Sequence, residues 1–324
     1  MGATTTQTDG TKTGRRLRPW ARALLVVLGL AVVGLGALGI IGYRHPLAAM
    51  EVLGRMALRS AGLERASLAG PRGPLVYWRG GTGSLVVLLH GANDQSGAWA
   101  RVVRPIMARH RLLLLDLPGH GLSAPQDGSL GVGDLFAGVE VLLAAEGKGE
   151  QATLVGNSMG GWLAMLYAHR HPDRVAGVVL VNGAALSGDG SQAPVNLLPK
   201  NRDQARAAMF AVTSPSSPLT PDFILDDLVR RAPGSPLARL LASPVEGWLL
   251  DGKLGEIQVP VTLLWGEDDK VLPPAYTRRV ASELPSARVE MIARCGHLPQ
   301  RECADRLLPL LQRALDGPGV GGAR

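Results

Sequence analysis

Short apolar runs alternate with longer stretches of helical periodicity from about residue 70 to the C-terminus. The apolar runs predict buried strands at 85–89, 112–115, 152–155, 175–181, 261–265 and 289–292. The periodic stretches predict helices near 97–109, 133–145, 159–171, 274–284 and 302–315. This alternation is typical of an α/β fold, in which helices cover both faces of a mostly parallel sheet.

One interval, from about 186 to 257, interrupts the alternation. It is rich in Pro, Ser and Asp and contains short helical patterns at 204–211 and 223–231. More than about 70 residues between two strands is too long for a simple loop, so a helical insertion is expected. We interpret it as a cap over a site, and decoration elsewhere on the surface is the alternative.

The N-terminal region has a different pattern. Residues 23–43 form 21 consecutive uncharged, mostly apolar positions, long enough as a helix to cross a hydrocarbon layer of roughly 30 Å. Five basic residues precede this stretch, which predicts a single transmembrane helix with a cytoplasmic N-terminus and the remaining chain on the outer, extracytoplasmic side. A cleaved signal peptide is the alternative.

These patterns predict a domain layout along the chain. We expect a basic tail (1–22), a transmembrane helix (23–43), a connector (44–70), one α/β domain (71–316, with the cap at 186–257) and a glycine-rich flexible tail (317–324).

Charge and cysteine content exclude several classes of protein. The net charge is +7, of which residues 1–22 contribute +4, so only +3 is left for the other 302 residues. That remainder is too small for a nucleic-acid-binding surface. The two cysteines, Cys295 and Cys303, have no metal-binding spacing. We interpret them as ordinary partly buried thiols, with a single disulfide as the alternative.

The strongest chemical motif is Gly156-Asn157-Ser158-Met159-Gly160, placed between a predicted strand and a predicted helix. This is the G-x-S-x-G nucleophile elbow in the context that makes it credible. The flanking glycines allow the sharp turn, and the serine hydroxyl then stands at a helix N-terminus, where developing negative charge is stabilised.

A serine needs a general base and a carboxylate that orients the base. Asp269 follows the strand at 261–265, and His297 follows the strand at 289–292. The three candidates then follow the chain order Ser158, Asp269, His297, which suits a nucleophile, an orienting carboxylate and a base. Asp268 competes with Asp269 for the carboxylate role, and Glu267 is a weaker alternative.

An oxyanion hole needs two fixed donors. The backbone N–H of Met159, directly after the serine, is the first candidate. The second is the N–H of Ala92, in the turn His90-Gly91-Ala92-Asn93 that follows the strand at 85–89.

Together these motifs resemble the α/β-hydrolase superfamily. The resemblance covers about 70–315 and rests on Leu89-His90-Gly91, the run from Asp116 to Ser123, the GNSMGG elbow, Gly266 with Asp269, and Gly296-His297 followed by Glu302. It implies an eight-stranded sheet, with the cap inserted after the sixth strand.

Within the superfamily, the chain is most similar to membrane-anchored monoacylglycerol lipases and related carboxylesterases. The meta-cleavage carbon–carbon bond hydrolases are the second resemblance, since they share a similar elbow and Cys-Gly-His run. Ala92-Asn93-Asp94 replaces their run of glycines, and Leu298 replaces the tryptophan that follows their histidine.

The resemblance implies a serine hydrolase that cleaves lipophilic acyl esters, such as monoacylglycerols, through an acyl-enzyme. No metal or organic cofactor is expected. The expected partners are a small-molecule ester and the lipid bilayer, with no nucleic acid. An acyltransferase or perhydrolase on the same scaffold, or a binding protein that has lost turnover, are the remaining alternatives.

Overall fold

The computed structural model describes residues 20, 27–28, 36, 39–184, 186–187, 195–284 and 287–317. The chain divides into two units after Arg44. In the first unit, residues 39–44 are helical.

The predicted membrane location is contradicted by the structure. Across the described residues, no helix is both long and apolar enough to cross a membrane. Residues 23–26, 29–35, 37 and 38 of the predicted span lie outside the described part of the chain.

The second unit, His45–Arg324, is built around an eight-stranded sheet. The strands described are β1 (Glu64–Gly70), β2 (Gly73–Gly80), β3 (Ser84–Leu89), β4 (His110–Leu115), β5 (Ala152–Ser158), β6 (Val175–Gly183), β7 (Val261–Gly266) and β8 (Arg288–Ile292). Their order in the sheet is β1-β2-β4-β3-β5-β6-β7-β8. Among the described strand pairs, β1–β2 and β2–β4 are antiparallel and the other five are parallel, so the sheet is mostly parallel, as predicted.

Helices pack on both faces of the sheet. Those described are α1 (Pro46–Ser60), α2 (Ala100–Met107), α3 (Val132–Glu146), α4 (Met159–Arg170), α5 (Arg202–Val212), α6 (Asp222–Arg231), α7 (Pro236–Leu241), α8 (Pro274–Glu283), α9 (Pro299–Glu302) and α10 (Ala304–Asp316). Helices α3, α4 and α8 contribute to the core on one face, and α1, α2 and α10 contribute to the core on the other.

The central strands are apolar on both sides because both faces of the sheet are covered. In β3, Leu85, Val87 and Leu89 belong to one core and Val86 and Leu88 to the other. This is the expected behaviour of a parallel strand between two helical layers, since successive side chains point to opposite faces.

One region differs from expectation, and another contains the expected helices. Residues 44–70 are not a featureless connector, because they contain helix α1 and the edge strand β1, which pairs with β2. The interval between β6 and β7 holds α5, α6 and α7 together with short 3-10 turns, and we refer to residues 195–257 as the insertion.

Candidate active site

Ser158 lies at the junction of β5 and α4, with backbone angles φ 51° and ψ −119°. A positive φ is costly for a residue with a side chain, and such strain is typical of functional turns. The strain persists because the surrounding backbone leaves no room to relax. A Cβ added at Gly156 would lie 2.3 Å from the Gly160 carbonyl carbon, and one added at Gly160 would lie 2.2 Å from the Leu89 oxygen.

Asp269 and His297 meet at the carboxyl ends of β7 and β8. His297 Nδ1 and Asp269 Oδ2 are 2.8 Å apart, and both side chains are almost fully buried. The contact leaves the imidazole Nε2 as the ring nitrogen that can act on a proton. The structure thus brings the two predicted side chains together.

The Asp269 carboxylate accepts four hydrogen bonds. Oδ2 accepts from His297 Nδ1 and from Asn182 Nδ2 at 2.6 Å, and Oδ1 accepts from the backbone N–H groups of Val271 and Leu272 at 2.8 and 3.0 Å. Donor groups thus surround both carboxylate oxygens, which fixes the orientation of the Asp269 side chain. Asn182 Oδ1 accepts from the Gly266 N–H at 3.1 Å, which fixes the direction of the Asn182 amide.

The competing acids face elsewhere. Asp268 Oδ2 accepts from Ser214 Oγ at 2.6 Å, and Glu267 is exposed. Neither is among the hydrogen-bond partners of His297 within the described residues. The geometry therefore favours Asp269 for the carboxylate role.

The elbow is tied to the loop that carries His297. Asn157 Nδ2 donates to the His297 carbonyl at 3.1 Å, and Gln300 Nε2 donates to Asn157 Oδ1 at 3.0 Å. All three side chains are buried. Buried hydrogen bonds of Asn157 and Gln300 therefore hold the elbow of Ser158 and the loop of His297 together.

Gly91 places the turn after β3 directly beside the elbow. A Cβ at Gly91 would lie 3.0 Å from Asn157 Oδ1 and 3.2 Å from Ser158 Cβ. The N–H of Ala92, the next residue, donates to no acceptor in the described chain. The N–H of Met159 belongs to the first residue of α4, where helical geometry provides no intrahelical acceptor. Both predicted oxyanion donors are thus at the elbow.

Two buried histidines support this turn. His90 Nδ1 donates to the Gly91 carbonyl at 2.8 Å, and His90 Nε2 accepts from the Leu117 N–H at 3.0 Å. His120 packs against His90, with ring centroids 5.2 Å apart. Burial lowers the pKa of both rings, and for His120 burial together with the neighbouring His90 lowers the pKa to about 3. Both rings are therefore neutral at pH 7.

Cys295 and Cys303 are joined by a disulfide, so the interpretation as free thiols is wrong. The bond closes the loop that contains His297, with Cα atoms 6.0 Å apart. The spacing of eight residues carried no signal for this pairing. It becomes possible because the short helix α9 turns the chain back on itself.

The insertion contacts both loops that carry the acid and the base. The His297 N–H donates to the Val212 carbonyl at 2.8 Å, and the Lys270 N–H donates to the Ala211 carbonyl at 3.3 Å. On the other side, the Leu237 N–H of α7 donates to Asn93 Oδ1 at 2.9 Å. The insertion therefore borders the candidate site beside Asp269, at His297 and at the turn that contains Ala92.

Several residues of this network were not predicted from the sequence. They share a role as polar bridges between loops that are distant in the chain: Asp94, Asn182, Gln300 and Arg301. Glu302 was noted in the resemblance, and its carboxylate accepts from the Gly296 and Ser214 N–H groups. Among the described residues, no three His, Cys, Asp or Glu side chains are grouped as metal ligands.

Comparison with known proteins agrees with the fold and the motifs. Residues 86–310 match the profile of the alpha/beta hydrolase family. The 2-hydroxy-6-oxononadienedioate/2-hydroxy-6-oxononatrienedioate hydrolase of Cupriavidus pinatubonensis is 32% identical over 244 residues, covering 68% of this chain and 82% of that protein. The 2-hydroxy-6-oxo-6-phenylhexa-2,4-dienoate hydrolase of Burkholderia cepacia is 29% identical, covering 69% and 85%.

A solved structure covers still more of the chain. The crystal structure of a membrane phospholipase A, described as a bacterial virulence factor, superposes with a TM-score of 0.74 at 27% identity. It covers 94% of this chain and 100% of that chain. The sheet order, the strained elbow serine and these similarities together show that the chain belongs to the alpha/beta hydrolase family.

Proposed function

We propose that this hydrolase is a serine esterase that cleaves lipophilic carboxylic esters through an acyl-enzyme. The observation that carries the proposal is the buried His297 Nδ1 to Asp269 Oδ2 contact of 2.8 Å, on a loop that is hydrogen-bonded to Asn157, the residue before the strained Ser158. A serine held this way is a nucleophile only if a base takes its proton.

In the proposed mechanism, Ser158 Oγ attacks the ester carbonyl carbon while His297 Nε2 takes the hydroxyl proton. Asp269 holds the Nδ1–H tautomer and stabilises the imidazolium that forms. The N–H groups of Ala92 and Met159 bind the carbonyl oxygen as it becomes an oxyanion. His297 then gives the proton to the leaving alcohol, and water, activated by the same histidine, releases the acid.

Charge around the site supports a neutral substrate. The dienoates named for the two relatives carry carboxylates, and a site for them needs an available cation. Three cations described near the candidate residues direct donors at protein acceptors, and one of them, Arg301, is neutralised by a carboxylate. Arg301 pairs with Asp94, Lys270 Nζ donates to the Phe210 carbonyl, and Arg239 donates to three backbone carbonyls. This arrangement favours an uncharged acyl group.

The insertion supports an apolar acyl chain. Met159 and Trp162 on α4 belong to the apolar core on that side, and Trp162 Nε1 donates to the Trp248 carbonyl of the insertion at 2.8 Å. Apolar side chains thus continue from the elbow to the insertion. We propose that the insertion is a cap whose inner wall receives the acyl chain, and the similarity to a phospholipase A supports a lipid-derived ester.

Carbon–carbon bond hydrolysis is the second candidate. The 32% identity to the Cupriavidus hydrolase supports it directly, and a Ser-His-Asp site suits both reactions. The two candidates differ in substrate, so they are separated by turnover rather than by the residues of the triad.

The test combines active-site labelling with a substrate panel. The purified protein is treated with a fluorophosphonate, and turnover is measured on p-nitrophenyl esters of increasing chain length and on 2-hydroxy-6-oxo-dienoates. We expect labelling that Ser158→Ala abolishes and the exposed Ser282→Ala retains, with esters preferred. Labelling that survives Ser158→Ala refutes the mechanism, and faster turnover of the dienoates transfers the proposal to the second candidate.

A further inference from the structure

Arg301 and Asp94 form an ion pair between two loops of the site. Arg301 lies on α9, four residues after His297, and Asp94 ends the turn that carries Ala92. Arg301 Nε donates to Asp94 Oδ2 at 2.9 Å, and Arg301 Nη2 donates to Asp94 Oδ1. Two parallel bonds fix the direction of the carboxylate as well as its position.

Asp94 is part of a tight turn, which we call the oxyanion turn (Gly91–Asp94). The Asp94 N–H donates to the Gly91 carbonyl at 3.3 Å, and Asn93 adopts a left-handed φ of 58°. Asp94 Oδ1 also accepts from the Gln95 N–H at 2.8 Å. The N–H of Ala92 therefore lies in a turn of four residues. The last of these residues, Asp94, is held in place through its carboxylate, which accepts from Arg301 and from the Gln95 N–H.

The environment makes this ion pair stronger than one on the surface. The Asp94 side chain is 12% exposed and that of Arg301 is 34% exposed. Burial alone would raise the pKa of Asp94, but the charge and hydrogen bonds of Arg301 outweigh it and lower that pKa. Asp94 therefore stays ionised, and a charge-assisted pair that is largely shielded from water keeps a defined geometry.

The segment that carries Arg301 is itself fixed by hydrogen bonds. The neighbouring Gln300 donates to Asn157 beside the nucleophile, and the neighbouring Glu302 accepts from the Gly296 N–H at 2.7 Å. Arg101 Nη1 donates to the Arg301 carbonyl at 2.6 Å. The guanidinium thus extends from a segment fixed to the elbow and to the loop of His297.

We propose that Arg301 is a positioning residue for the oxyanion hole: through Asp94 it holds the oxyanion turn so that the Ala92 N–H faces the carbonyl oxygen attacked by Ser158. The inference rests on the proposed ester hydrolysis. Arg301 touches no reacting atom, so its effect is on the alignment of a donor. Because the oxyanion forms only after attack, misalignment lowers kcat and leaves KM nearly unchanged.

The test compares a p-nitrophenyl ester with its thionoester, in which sulfur replaces the carbonyl oxygen. Sulfur is the poorer hydrogen-bond acceptor, so an intact oxyanion hole favours the oxygen substrate. Arg301→Gln removes the ion pair with Asp94. Arg301→Lys keeps the positive charge but loses the paired hydrogen bonds, and it still tests the proposal if Arg301→Gln does not fold. Arg109→Gln is the matched control, because Arg109 pairs with Asp316 on the surface away from the site.

We expect kcat for the ester to fall about 10- to 100-fold in Arg301→Gln, a fraction of the roughly 10²- to 10³-fold loss when an oxyanion donor is deleted. The ratio of kcat for the ester to kcat for the thionoester should also fall in Arg301→Gln. It should be intermediate in Arg301→Lys and unchanged in Arg109→Gln. Equal slowing of both substrates in folded variants overturns the inference, since a purely structural role affects both alike. Absence of fluorophosphonate labelling in the unmutated protein overturns the proposed function instead.

Discussion

Replacing Asp269 by asparagine tests the acid–base arrangement with a change of one atom. The carboxylate accepts four hydrogen bonds, two at each oxygen. An asparagine must turn its NH₂ group toward one of these two pairs of donors. If it faces Val271 and Leu272, two backbone N–H groups lose their acceptor. If it faces His297, the imidazole must present an unprotonated Nδ1.

The second orientation is the less costly, because the imidazole can change tautomer while backbone N–H groups cannot. The histidine then carries its proton on Nε2 and no longer accepts one from Ser158. A serine hydrolase with its histidine in the wrong tautomer loses about 10⁴ in kcat, which corresponds to about 5.5 kcal/mol at 1.36 kcal/mol per factor of ten. In this orientation only the Asn182 Nδ2 donor loses its acceptor, against two backbone donors in the other orientation.

The assay measures kcat on a p-nitrophenyl ester, the rate of fluorophosphonate labelling and the thermal unfolding midpoint. Asp268→Asn is the matched control, because Asp268 is the adjacent acid and bonds to Ser214 instead of His297. We expect Asp268→Asn to retain kcat within about tenfold of the unmutated protein, since it removes no bond to His297. A loss of less than tenfold in a folded Asp269→Asn protein, or an equal loss in Asp268→Asn, refutes the assignment.

Two further outcomes follow from the buried groups. Burial keeps His90 and His120 neutral in the folded state and lowers the pKa of His120 to about 3. Below pH 6.5 the unfolded state therefore binds more protons than the folded state. Stability is thus complete above that pH and is lost as pH falls, by about 2 kcal/mol for His120 alone at pH 5. Denaturant unfolding at pH 7 and 5 measures this, and a flat profile would contradict it. Replacing Cys295 and Cys303 by serine should cost about 2.5 kcal/mol of unfolding free energy, the chain-entropy value for a loop closed at a separation of eight residues. Equal unfolding midpoints for the variant and the unmutated protein would count against it.

The core of the fold was predictable because buried parallel strands are apolar on both sides. Strands β3, β5 and β7 read as continuous apolar runs and were placed within a few residues. Strand β1 was not predicted. Its side chains alternate between exposed and half-buried, and the residues of an edge strand, ERASLAG, lack the apolar run that marks a central one.

The candidate site was only partly predictable for a different reason. Ser158, Asp269 and His297 follow strands, and strand ends of a parallel sheet meet at one edge, so local sequence and topology were sufficient to propose them. Their supporting contacts have no such local signature. Asn157 and Gln300 are 143 residues apart, and their hydrogen bond depends on how two loops approach each other in three dimensions.

The glycines of the elbow also determine where this protein can be altered by mutagenesis. Gly156 and Gly160 contact backbone atoms so closely that even a methyl group would collide. Backbone, unlike the end of a flexible side chain, cannot move aside without displacing β3 or α4. Libraries that seek new acyl specificity should therefore keep these positions constant. Variation is better directed to Met159 and to the insertion, whose apolar side chains pack in the same core.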